Sequence, residues 1–219
     1  MRPHFDLSLY LVTDPEMTAH RGLVETVAAA VDGGVTMVQL RHKAGPMQAI
    51  VDAGRALRAL LAPRGIPLIV NDRVDVAQAV GAEGIHVGRN DPPPAAARAM
   101  LGPDAIIGFS ITDEQQLASF DSTVVDYVGL GPLFPTGTKT DAAPAMGEAA
   151  FAGIRRRLHC PIVAIGGISA LNAARAIAAG ADGVAVVSAI CAASDPRAAA
   201  QALRAAVDAG RSKLGATLR

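Results

Sequence analysis

Residues 67–94, PLIVNDRVDVAQAVGAEGIHVGRNDPPP, hold one full turn of the pattern from which the chain is built. The run PLIVN (67–71) is apolar and rich in branched residues, as a buried strand requires. Asn71-Asp72 ends it. VDVAQAV then reads as a short helix stopped at Gly81. A second apolar run, GIHVG (84–88), follows and ends in Arg89-Asn90-Asp91, after which three prolines open the next helix. Strand, helix and strand in such short order predict two parallel strands with the helix packed across them.

The same alternation continues in both directions. Strand runs are predicted at SLYLVT (8–13), VTMVQL (35–40), PLIVN (67–71), GIHVG (84–88), AIIGFS (105–110), VDYVGLG (125–131), PIVAIGG (161–167) and DGVAVVS (182–188). Between them lie Ala-, Leu- and Arg-rich stretches such as LVETVAAAVDGG, MQAIVDAGRALRALLA and LNAARAIAAGA, each ending at Gly or Pro. Continuous apolar strands between helices imply a parallel sheet covered on its outer face. Eight such units predict an α/β fold, a single-domain (β/α)8 TIM barrel over 1–219 and near the lower size limit of that architecture. An open doubly wound sheet would carry a dinucleotide fingerprint in its first βα turn, and TDPEMTAHRG has none. The segment from about 209, through RSKLGATLR, reads as a frayed tail.

Composition narrows the function classes. Hydrophobic residues are 51% and charged residues 18%, enough to fill a core and too apolar for disorder. Lys+Arg and Asp+Glu are both 20, so the basic surplus of a nucleic-acid binder is missing. Aromatics are 3%, too few for base-stacking platforms. No apolar run reaches membrane-spanning length and the start carries no signal peptide, so the expected location is the cytoplasm. Cys160 and Cys191 read as buried thiols in a reducing compartment.

Barrel chemistry sits at the C-terminal ends of the strands. Strand two ends in Gln39-Leu40-Arg41-His42-Lys43, whose period-two alternation turns Gln39, Arg41 and Lys43 the same way. An amide with two cations suits a phosphoryl group; a solvated charged loop is the plain alternative. Asp72 and Asp91 end strands three and four and lie side by side if those strands are neighbours. Each could equally cap the helix that follows it. As a pair beside a phosphate cluster they would repel the ligand unless a divalent cation joined them, and Mg2+ takes one or two carboxylates with water and phosphate oxygens. Gly166-Gly167 and Ser188 end strands seven and eight, where many barrels hold a single phosphate, while Ser169 reads as a helix cap. The long segment GPLFPTGTKTDAAPAMG (131–147) after strand six lies between the two places and brings Thr136, Thr138 and Lys139.

LYLVTD, VQLRHK, IVNDRVDVA, GIHVGRND, GFS, DYVGLGPLFPTGTK, VAIGGI and GVAVVSAI occur in an order that resembles the thiamine-phosphate synthase family over about residues 9–208. The resemblance implies a transferase that joins a pyrimidine diphosphate to thiazole phosphate. It implies Mg2+ at Asp72 and Asp91, with Mn2+ sharing the same oxygen preference. It assigns diphosphate to Arg41, Lys43, Asn71 and Lys139, and the pyrimidine side to Gln39 and Ser110. The thiazole phosphate falls to Thr136, Thr138, Gly167, Val187 and Ser188. Lys139, Ser110 and Arg41 are the catalytic candidates. Two departures stand out. Arg89 replaces the usual Gln, and Ile111-Thr112 follow Ser110 where a His commonly stands two residues on. His86 reads as a packed core histidine. The expected partners are small molecules, with no nucleic acid and no membrane, and Ala-rich outer helices leave a homo-oligomer open. A thiazole tautomerase-like isomerase would usually lack the second aspartate and the Thr-x-Thr-Lys loop. A sugar-phosphate epimerase would need an acid–base pair that is not evident. A non-catalytic phosphate-ligand-binding barrel would not need so complete a set of polar strand ends.

Overall fold

The computed structural model describes residues 4–43, 45–138 and 143–217. The predicted strands are present as β1 (Leu9–Val12), β2 (Met37–Leu40), β3 (Leu68–Asn71), β4 (Gly84–Val87), β5 (Ile106–Ile111), β6 (Tyr127–Leu130), β7 (Ile162–Ile165) and β8 (Gly183–Val186). They pair in parallel in chain order, and β8 returns to β1 to close the barrel. Closure removes both sheet edges, so no strand is left with unpaired backbone.

Side-chain alternation sorts each strand between two cores. Leu9, Leu11, Val38, Leu40, Leu68 and Val70 point outward into the layer shared with the helices. Tyr10, Val12, Met37, Ile69, Tyr127, Val163 and Ala185 point inward and fill the barrel. The helices are α1 (Pro15–Thr18), α2 (Leu23–Asp32), α3 (Met47–Leu61), α4 (Val74–Val80), α5 (Pro94–Leu101), α6 (Gly147–Arg155), α7 (Ala173–Ala178), α8 (Ser188–Cys191) and α9 (Pro196–Thr217).

Two expectations change. The β5–β6 connection holds a 3-10 helix, Glu114–Ser119, rather than an α-helix. Asp113 caps it by accepting from the Gln116 N–H, and the Gln116 side chain folds back onto Thr112, accepting from its N–H and donating to its hydroxyl, both at 2.9 Å. Such local side-chain bonds compete with a continuing helix. The segment expected to fray from about 209 is helical in α9 through Thr217. Arg211 ties it to the barrel floor by donating to Ser8 Oγ at 2.7 Å and to the Asp182 carbonyl at 2.5 Å. Cys160 and Cys191 are both buried thiols, as expected. Among the described residues no helix is long and apolar enough to cross a membrane.

Candidate active site

The C-terminal ends of the strands surround a cavity of about 650 Å³. Gln39, Lys43, Asn71, Asp72, Asp91 and Ser110 line one side; Thr136, Thr138, Gly167, Val187 and Ser188 line the other. These are the strand-end residues that the sequence singles out, save two. Lys139 lies outside the described residues. Arg41 does not line the cavity: its guanidinium sits 3.5 Å from the Asp14 carboxylate. The other Asp14 oxygen accepts from the Glu16 and Met17 N–H groups at 3.1 Å and starts α1. Both charges are largely buried, and a largely buried cation takes the nearest countercharge.

The cap alternatives for the two aspartates do not hold. The residues preceding α4 and α5 are Arg73 and Pro93, with no side-chain cap at either. Asn71 to Arg73 instead forms a three-residue turn, closed by the Arg73 N–H on the Asn71 carbonyl at 2.7 Å. Its centre, Asp72, has φ 60°, a left-handed conformation that Asp tolerates better than most residues. The turn delivers Asp72 to the cavity. Asp91 is oriented by the Gly88 N–H, which donates to its Oδ2 at 2.7 Å. Burial, and then the neighbouring Asp91 carboxyl, push Asp72 up to about 6, against the opposing pull of Asn71 and Lys43. Two crowded carboxyls with hard oxygen donors fit a divalent cation. Among the described residues no group of three or more His, Cys, Asp or Glu could hold a metal.

On the far side, the start of the 131–147 segment extends the β7 pairing: the Leu133 and Phe134 N–H groups donate to the Ile165 and Gly166 carbonyls at 2.8 and 3.1 Å. Gly167, with φ 63°, lies so close to Phe134 and Pro135 that a Cβ would overlap them. The close approach that these glycines permit is therefore to the chain's own loop as well as to the cavity. Thr138 Oγ1 then reaches Ser188 Oγ at 3.2 Å, joining the β6 loop to the end of β8. Ser169 is not a helix cap; its N–H donates to Asn172 Oδ1 at 2.8 Å, and Asn172 precedes α7.

A polar chain crosses the barrel beneath the cavity. Gln39 Nε2 donates to the Tyr10 hydroxyl at 2.7 Å, and the Tyr10 and Tyr127 hydroxyls are 2.9 Å apart. The Tyr127 hydroxyl is 3.0 Å from His86 Nδ1, and His86 Nε2 is 2.8 Å from Ser110 Oγ. His86 also lines the cavity, so it is not a histidine packed in apolar surroundings.

Residues 9–190 match the family model described as thiamine monophosphate synthase. The chain belongs to the thiamine monophosphate synthase family. Among its relatives, the thiamine-phosphate synthase of Azorhizobium caulinodans is 55% identical over 95% of this chain and 99% of its own. That of Xanthobacter autotrophicus is 56% identical over 94% of this chain and 98% of its own. The solved thiamine phosphate pyrophosphorylase from Pyrococcus furiosus superposes with a TM-score of 0.84 at 36% identity, covering 93% of this chain and 96% of that one. A 3-hexulose-6-phosphate synthase structure, at TM-score 0.63 and 18% identity over 91% of this chain and 99% of that one, shares the fold alone.

Both departures from the thiamine monophosphate synthase pattern face the site. Arg89 lines the cavity next to Asn90 and Asp91. Thr112, which stands where the family commonly has His, also lines it. Sequence reasoning missed Tyr10, Tyr127 and the inward role of His86. A signal was available: His86 shares strand parity with Gly84 and Gly88, and Tyr127 with Gly129 and Gly131, so both rings point to a face otherwise bare of side chains.

Proposed function

We propose that the chain condenses 4-amino-2-methyl-5-hydroxymethylpyrimidine diphosphate with thiazole phosphate to give thiamine phosphate and diphosphate. The carrying observation is one cavity with two polar ends: Asp72 and Asp91 with Lys43 and Asn71 at one, Thr136, Thr138 and Ser188 at the other. That layout suits two phosphorylated substrates held end to end.

The reaction breaks the bond between the pyrimidine methylene carbon and the diphosphate oxygen, and the electron pair leaves with diphosphate. The thiazole nitrogen then gives its own pair to that carbon. No proton need move in the bond-making step, which agrees with a site that offers positioning and charge rather than a matched acid and base. Asp72 and Asp91 would hold Mg2+, which when bound would supply positive charge against the diphosphate leaving group. Lys43, Asn71 and Lys139 grip the diphosphate. Arg41, paired with Asp14 behind the lining, braces the wall next to Gln39 and Lys43 rather than touching the substrate. Gln39 and Ser110 orient the pyrimidine. Thr136, Thr138, Gly167, Val187 and Ser188 seat the thiazole phosphate, and the Pro135–Thr138 stretch that lines the cavity helps keep water from the cationic methylene. The setting is the cytoplasm, where both substrates are small soluble anions.

The test is a coupling assay with the purified chain, both substrates and Mg2+. Thiamine phosphate should form, and should vanish with EDTA and in Asp91→Ala. No product from folded wild-type protein would overturn the reading.

A further inference from the structure

We propose that His86 is a positioning residue that holds Ser110 as a hydrogen-bond donor toward the cavity, acting through a chain of buried hydroxyls that begins at Gln39. The direction of the chain follows from its first link. The Gln39 amide nitrogen can only donate, so the Tyr10 oxygen accepts. Tyr10 is 1% exposed, and its own proton has the Tyr127 hydroxyl at 2.9 Å to receive it. Tyr127 is fully buried and, having accepted, gives its proton to His86 Nδ1 at 3.0 Å. Burial pushes both phenols well above their ordinary range, so each keeps a proton to pass along. A neutral imidazole whose Nδ1 accepts carries its hydrogen on Nε2. That N–H donates to Ser110 Oγ at 2.8 Å. The Ser110 hydroxyl proton is left for whatever occupies the cavity.

The surrounding backbone is shaped for this chain. His86, Gly108 and Tyr127 are register partners across β4, β5 and β6. With a side chain on the middle strand the two rings could not meet: a Cβ on Gly108 would overlap Tyr127 and His86 Nδ1. Gly129, the register partner of Ser110, leaves room for the other edge of the imidazole, with its Cβ position 3.1 Å from His86 Cε1. The barrel therefore gives up two interior side chains to let one histidine sit between a tyrosine and a serine.

A serine fixed as donor selects a ligand atom that accepts, such as a ring nitrogen of an aminopyrimidine. That last step rests on the function proposed above; the polarity of the chain does not. The first experiment uses the full-length protein labelled with 15N, near neutral pH. Long-range proton–nitrogen spectra give the tautomer of each histidine, with His86 assigned by its loss in His86→Gln. The expected result is hydrogen on Nε2 and a bare Nδ1, and a loss of that preference in Tyr127→Phe. Hydrogen on Nδ1, or a tautomer unmoved by Tyr127→Phe, would overturn the proposal. If Tyr127→Phe does not fold, Tyr10→Phe cuts the same chain one link earlier, and the wild-type tautomer already decides the polarity. The second experiment measures calorimetric binding of 4-amino-5-hydroxymethyl-2-methylpyrimidine, which lacks diphosphate. Tyr127→Phe should weaken it about tenfold, the effect of one misdirected neutral hydrogen bond. Unchanged affinity would overturn the link to the ligand. Neither readout uses turnover, so failure of the coupling reaction and failure of this inference are separate results.

Discussion

Gly108→Ala tests the interior of the barrel most directly. Gly108 has no positive φ, so alanine there brings no backbone strain and the effect is steric. The added methyl would overlap Tyr127 Cζ, the Tyr127 hydroxyl and His86 Nδ1. Neither ring has an easy retreat, because Tyr127 is fully buried and His86 is hydrogen-bonded at both nitrogens. Overpacking of this kind costs about 1–3 kcal/mol. Parting Tyr127 from His86 also breaks a buried hydrogen bond, about 1 kcal/mol more. The sum is about 2–4 kcal/mol. In a chain of this size each kcal/mol lowers Tm by about 2–4 °C, so the variant should melt roughly 5–15 °C below wild type. Circular dichroism is the suitable probe, since the chain has no Trp. Gly153→Ala in α6 is the control: its Cβ would meet only Arg156 Nη2, at 3.9 Å, and alanine should raise stability by about 0.5–1 kcal/mol. A Gly108→Ala protein melting within about one degree of wild type would refute the packing argument.

Mg2+ binding should depend on pH through Asp72, whose carboxyl is pushed up to about 6. The metal needs the charged form, so the rise in Tm on adding Mg2+ should be full well above that value and fade as pH falls through it. In the metal-free protein the sign reverses: the contribution of this group to stability is complete below its ordinary value of 3.8 and is lost as pH rises through about 6. Equal Mg2+-induced shifts at about pH 5 and about pH 7.5 would remove Asp72 from the metal site. Thr138→Val keeps the shape of the β6 loop but deletes the hydroxyl that reaches Ser188. It should raise KM for thiazole phosphate about tenfold and leave KM for the pyrimidine diphosphate within about twofold. The opposite pattern would move the threonine to the diphosphate end.

The sequence by itself determined the barrel. Eight branched apolar runs separated by Ala-rich stretches have few other ways to bury themselves, and the parity of each run already marks which residues face inward. It also determined most of the cavity lining, because residues at the ends of parallel strands gather at one mouth whatever the details of packing. The tertiary structure decided what those residues touch. Asp72 could be read as a helix cap or as a ligand from its neighbours; the left-handed turn at Asn71–Arg73 turns it to the cavity. Arg41 had the parity of Gln39 and Lys43, and the Asp14 carboxylate draws it out of the lining. The parity of His86 with Gly84 and Gly88 marked its inward direction but not its partners, since Tyr127 is 41 residues away and Tyr10 meets Tyr127 across 117. Periodicity is a property of one strand and reports a side chain's direction. Contacts across a closed barrel depend on register and on which opposing positions are glycine, and those are set only when all eight strands have paired.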